Sequence, residues 1–124
     1  MKREITIQTK KFKIKATLNK TKTADNIISS LPFKSIANTW GNEIYFTIPV
    51  SAKLEKSVEI VEVGTVAYWP PGSALCIFFG KTPASVSEKP QAVSPVTVIG
   101  SIKDIKDIEN LKQINGGEEI EVVK

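Results

Sequence analysis

The stretch "VAYWPPGSALCIFFGKTP", residues 66–83, decides how the rest of the chain is read. Tyr68 and Trp69 run into Pro70-Pro71-Gly72, and the chain then re-enters an apolar run that ends at Phe79-Gly80. Two short apolar runs separated by proline and glycine read as a β-hairpin. Proline fixes φ, and glycine adopts backbone conformations that other residues avoid. A residue before proline is held extended, so Trp69 projects from a stiff frame, with Gly72 expected to permit the turn. Tyr68 alternates with Trp69 and is expected to point the other way.

Outward from this hairpin the same signals recur. "REITIQTKKFKIKATL" (3–18) alternates Ile5 and Ile7, then Phe12, Ile14 and Ala16, and reads as a second hairpin. "KTADNIISSLP" (22–32) reads as a short helix with Thr23 as cap, Asp25 in the first turn and Pro32 as its stop. "WGNEIYFTIPV" (40–50), "KSVEIVEVGTVAYW" (56–69, with a turn at Gly64) and "VTVIGSI" (96–102) supply further strands. "KDIENLKQINGG" (106–117) reads as a second helix capped by Asp107, and "EEIEVV" (118–123) as the closing strand. Residues 81–95, "KTPASVSEKPQAVSP", lack apolar periodicity and read as one long loop, a length often tied to function.

That pattern gives about eight strands with few crossover helices, which argues against a parallel α/β fold. A mainly β architecture is expected: a closed β-barrel with two short helices at its ends, its first and last strands pairing. The 124 residues read as a single domain, 1–124, able to bury about two-thirds of the surface its unfolded chain exposes.

Composition narrows the chemistry. The chain has no histidine, which removes Ser-His-Asp and Cys-His devices, His-Cys zinc sites and any imidazole acid or base. Cys76 is the single cysteine, and its apolar neighbours favour a buried, inert thiol. No apolar stretch approaches a membrane span, and "MKREITIQTKK" lacks the apolar core of a signal peptide, so a cytoplasmic location without a membrane partner is expected. The formal net charge is +4, with cations concentrated in residues 1–22 and Glu118, Glu119 and Glu121 near the end. Lys11, Lys13 and Lys15 share one strand face. Without interleaved aromatics that face reads as solvated, with no nucleic-acid partner, and its charges are free to pair with an acidic last strand.

Three strings, "FKSIANTWGNEIYFTIPV" (33–50), "VGTVAYWPPGSALCIFFGKTPAS" (63–85) and "VSPVTVIGSI" (93–102), resemble a family of small prokaryotic proteins with a cyclophilin-like fold and no assigned function. The resemblance spans nearly the whole chain and implies a cyclophilin-like β-barrel. The likeness to true cyclophilins is more distant. It puts Ala74 at the place of a pocket glutamine, Cys76 at that of a pocket phenylalanine and Val96 near that of a pocket histidine. Only Lys34 stands near the place of the catalytic arginine, and the sole arginine, Arg3, lies in the first strand. An ammonium does not reproduce a planar guanidinium fork, so the resemblance implies an inherited fold without the isomerase site.

Candidate ligand-binding residues follow from position and chemistry. Alternation puts Glu43, Tyr45 and Thr47 on the face opposite Ile44, Phe46 and Ile48. A carboxylate beside a phenol and near Trp40 is able to bind an amine or position a proton, and acid–base work requires Glu43 to be desolvated. Trp69 and Pro71 form a rigid platform at the turn. "GKTPAS" (80–85) offers Thr82 with backbone N–H groups, but the glycine and helix of a phosphate loop are missing. The expected site is therefore Trp40, Glu43, Tyr45, Trp69, Pro71 and Thr82, with no catalytic residue, metal or cofactor. The expected function is non-catalytic binding of a small molecule or short peptide by a monomer or small homo-oligomer. Weak prolyl isomerase activity, or an enzyme using Glu43, is the alternative.

Overall fold

Alternating burial builds the framework. The structure, a computed structural model, describes residues 3–124. Strand β1 (Glu4–Gln8) buries Ile5 and Ile7, and β2 (Lys13–Leu18) buries Ile14, Ala16 and Leu18. They pair with Ile5 opposite Ala16 and Ile7 opposite Ile14, around a turn whose Thr9 hydroxyl accepts from the N–H groups of Lys11 and Phe12. Lys11, Lys13 and Lys15 are exposed on the other face, and Lys2 lies outside the described residues.

Helix α1 (Lys22–Ser30) starts two residues earlier than a cap at Thr23 implies. Thr21, not Thr23, is the cap, its hydroxyl accepting from Ala24 N at 3.1 Å. Thr23 is buried and donates to Glu55 Oε1 at 2.6 Å, so its hydroxyl is already engaged. Helix α2 (Ile105–Leu111) is likewise capped by Asp104 rather than Asp107, whose carboxylate instead accepts from Lys15 N. No helix among the described residues is long and apolar enough to cross a membrane.

The remaining strands are β3 (Phe33–Ile36), β4 (Asn38–Thr39), β5 (Glu43–Thr47), β6 (Val58–Ile60), β7 (Thr65–Trp69), β8 (Ala74–Phe78), β9 (Gln91–Ser101) and β10 (Glu119–Val123). They form one antiparallel sheet in the order β3-β10-β1-β2-β9-β7-β8-β5-β4, with β6 paired to β9. β1 and β10 pair as expected. The expected closed barrel is not formed by hydrogen bonds, because the ladder ends at β3 and β4. Those two ends are consecutive pieces of chain joined by Ala37, whose N–H and C=O both turn to the Gly117–Glu118 backbone. The chain therefore changes partner from β10 to β5 at that bend. Ser35 Oγ donates to Thr47 O at 2.6 Å across the gap between β3 and β5.

Inside the curled sheet lies one core, drawn from β1, β2, β3, β5, β7, β8, β9, β10 and both helices. Tyr68 is fully buried there, with its hydroxyl donating to Val50 O at 2.7 Å. A second, smaller cluster lies on the outer face: Val61, Ala67, Ala74, Cys76, Phe78, Ala92 and Val96, flanked by Tyr45, Trp69 and Val98. That outer cluster exists because β7 and β8 are apolar on both faces and need cover on both. The hairpin's first strand lies beside the acidic last strand, but among the described residues none of the hairpin's lysines forms an ion pair with it. β1 separates β2 from β10, and Gln8 rather than a lysine meets Glu121, at 2.9 Å.

Candidate functional site: a cavity on the outer face

Strand register assembles the site. Glu43 lies opposite Phe78, Tyr45 opposite Cys76 and Thr47 opposite Ala74 across β5 and β8. Cys76 in turn faces Ala67, and Ala74 faces Trp69, across β8 and β7. Because alternate residues share a face, these side chains all stand on the outer side. Large rings at the margins and small residues between them leave a cavity of about 170 Å3, lined by Trp40, Glu43, Tyr45, Trp69, Cys76, Ala92, Val93 and Val96. A cavity of ~150 Å3 is enough to hold benzene, so this one suits a molecule of a few heavy atoms.

Each wall is held from behind. Trp40 N–H donates to Glu43 O at 2.9 Å, closing the tight β4–β5 turn in which Gly41 takes a φ of 61°. Asn42 fastens that turn to the end of β8, donating from N and Nδ2 to Lys81 O, each at 3.0 Å. Trp69 Nε1–H donates to Ser94 Oγ at 2.7 Å, which ties the indole to β9. The other end of the ring lies on Gly72, where a Cβ would come within 2.7 Å of indole Cζ3. Gly72 thus makes room for Trp69 rather than supplying the turn conformation. The left-handed residue is Ser73, with a φ of 45°, after a 3-10 turn at Pro70–Gly72.

Glu43 is the one ionisable carboxyl in the lining. It is 6% exposed, and burial pushes its pKa up to about 7, with a hydrogen bond from the Cys76 thiol pulling in the opposite direction. None of the four ion pairs among the described residues involves it. Burial first, then the charge and hydrogen bond of Glu43, raise the Cys76 pKa well above the usual thiol range. Cys76 therefore stays a neutral thiol, as its apolar neighbours suggest. Acid–base work by Glu43 required a desolvated carboxyl, and the carboxyl is desolvated.

The structure brings Trp40, Glu43, Tyr45 and Trp69 together and leaves Pro71 and Thr82 outside the lining. Pro71 is exposed on the turn. Thr82 is buried in the 81–90 connection, its hydroxyl donating to Gln91 O and accepting from Ala84 N, with Ser85 Oγ accepting from Thr82 N at 2.9 Å. It anchors the start of β9, which carries Ala92, Val93 and Val96 into the wall. The long loop read over 81–95 is shorter than expected, because β9 begins at Gln91. Pro95 lies within that strand and cannot donate to a ladder, and it masked the strand in the sequence.

Cys76, Ala92, Val93 and Val96 line the cavity without having been expected there. Alternation across the Tyr45–Cys76 pair would have located Cys76, had the pairing been known. Ala92-Val93, set among serines and prolines, carries no comparable signal. The places that the cyclophilin likeness gave to Ala74, Cys76 and Val96 all fall in this outer cluster. Lys34 is exposed on β3 opposite Glu121, and Arg3 pairs with Asp25, so neither reaches the lining.

The comparisons agree with this architecture. The chain belongs to the cyclophilin-like family, whose model matches residues 2–123. It is similar to a hypothetical protein of Archaeoglobus fulgidus with a solution structure. The two share 38% identity over 98% of this chain and 94% of that one, with a TM-score of 0.81. No curated protein matches the sequence.

Proposed function

We propose that this protein is a non-catalytic binding protein that takes a small molecule, or one side chain of a short peptide, in the outer-face cavity. The observation that carries the reading is Glu43. A carboxyl buried without an ionic partner costs stability, and such a group in a concave site is a candidate for a functional role. The aromatic walls add to it, since Trp69 is fixed by Ser94 and Gly72 before any ligand arrives.

An isotope-labelled NMR titration tests the reading, following both indole N–H signals and the amides of residues 72–82. The titrants are a short proline-containing peptide and benzene-sized cationic, neutral and anionic compounds. Shifts confined to the cavity walls support it. No shift with any titrant at millimolar concentration overturns it.

One observation favours a second reading. A carboxyl whose pKa lies near 7 is matched to general acid–base catalysis at neutral pH. Under that reading a bound molecule is turned over, and Glu43→Gln binds it without turnover. Equal binding with no product in either protein leaves the first reading standing.

A further inference from the structure

Resting on that binding reading, we infer that the cavity takes a small organic cation, an alkylated ammonium group, with Trp40, Tyr45 and Trp69 presenting their rings and Glu43 as the counter-ion. Three features of the lining select this class. No lysine or arginine contributes to it, so an anionic group would find no positive charge there and would face the Glu43 carboxyl. The contacts besides the rings and the carboxyl are Cys76, Ala92, Val93 and Val96, a largely apolar surface suited to alkyl groups. An aromatic ring face attracts a cation, and the attraction grows when water is excluded.

Size points the same way. About 170 Å3 accommodates a tetramethylammonium-sized group. Alkylation matters because an ammonium with N–H groups loses strong hydration on entering an apolar site, and a single carboxylate replaces only part of it. A methylated ammonium has fewer such bonds to lose and more surface to lay against the rings. Trp69, pinned at both ends, is already in place, so little rotamer entropy is lost on binding.

Binding of a cation carries a proton signature. Glu43 near neutrality is partly protonated, and an adjacent positive charge favours its carboxylate, so the proton leaves to the buffer. The other titratable groups facing it are Tyr45 on its own strand and Cys76 on β8. β9 contributes only Ala92, Val93 and Val96, and β7 only Trp69. Cys76, raised well above the thiol range, stays protonated through the neutral region and takes no part.

Calorimetry on the full chain tests this, with tetramethylammonium chloride as titrant in two buffers of different ionisation enthalpy. At pH 7 the expected result is release of about half a proton per cation bound, with affinity falling about tenfold per pH unit below that. A neutral isostere, neopentane-like tert-butyl alcohol, is expected to bind about tenfold or more weakly. Glu43→Gln is expected to lose the proton release and most of the affinity. Trp40→Leu keeps the release while weakening binding, which separates loss of a ring from misfolding. If N-methylacetamide binds with proton uptake and the cation does not bind, the carboxylic acid serves a neutral carbonyl ligand. The cation inference then fails while the binding reading stands. If neither binds, the cation inference fails, and the binding reading falls with it only when the peptide and anionic titrants also give no shift.

Discussion

Glu43 on β5 and Cys76 on β8 are diagonal neighbours on the outer face of the sheet, Glu43 lying opposite Phe78 and Cys76 opposite Tyr45, and each shifts the titration of the other. Neither group has an ionic partner among the described residues; burial raises the cost of charging both, Glu43 raises it further for the thiol, and the thiol lowers it somewhat for Glu43. The pair therefore favours its neutral form, a thiol beside a carboxylic acid, until a ligand or rising pH changes the balance.

Stability follows from this pair with a definite sign. Glu43 is raised from 4.5 to about 7 in the folded chain. Below pH 4.5 both states carry the proton and the group contributes nothing. As pH rises toward 7 the unfolded state ionises first, so stability falls, by up to about 3 kcal/mol once the folded carboxyl is charged too. Glu43→Gln removes that loss. Urea midpoints should match the native chain's more closely at acid pH and exceed them at pH ~8. Equal slopes with pH in both proteins would show that Glu43 is not the group responsible.

Cys76 should be slow to react. A thiol with a raised pKa, beside a carboxylate, offers little thiolate at neutral pH. Alkylation by iodoacetamide should proceed far more slowly than for a free thiol and speed up on adding denaturant. A rate equal to that of free cysteine in the native protein is the contrary outcome.

Gly72 supports Trp69 by its lack of a side chain. Gly72→Ala places a methyl within 2.7 Å of the ring, and the indole must shift. The expected cost is about 1–3 kcal/mol, with a changed tryptophan emission spectrum. Ser94→Ala removes the hydrogen bond to the indole N–H and should cost about 1 kcal/mol. Unchanged emission in Gly72→Ala would mean that the ring does not rest there.

Prolyl isomerisation should not be accelerated. Lys34 is exposed on β3 and Arg3 is committed to Asp25, so no guanidinium faces the cavity. A chromogenic proline-peptide assay should return the uncatalysed rate at micromolar protein. Acceleration abolished by Lys34→Ala would contradict that expectation.

Strand identity was legible because burial imposes alternation: Ile5, Ile7, Ile14 and Ala16 announce their face without a structure. Pairing was not, since nothing local says that Tyr45 meets Cys76 or that the chain at Ala37 changes partner from β10 to β5. The outer face of β5 was visible as Glu43 and Tyr45, but whether it met solvent or a groove depended on a segment some fifty residues away. Pro95 hid that segment by breaking the strand signal. Thr23 reads as the cap from sequence, but Glu55, more than thirty residues away, engages its hydroxyl, and Thr21 caps the helix instead.

The most direct measurement is the titration of the Glu43 carboxyl carbon by NMR in the free protein. A midpoint near 7 is the predicted result and marks a desolvated acid facing the cavity. A midpoint near the ordinary 4.5 would show a solvated carboxylate, and the outer-face cavity would lose the feature on which its function rests.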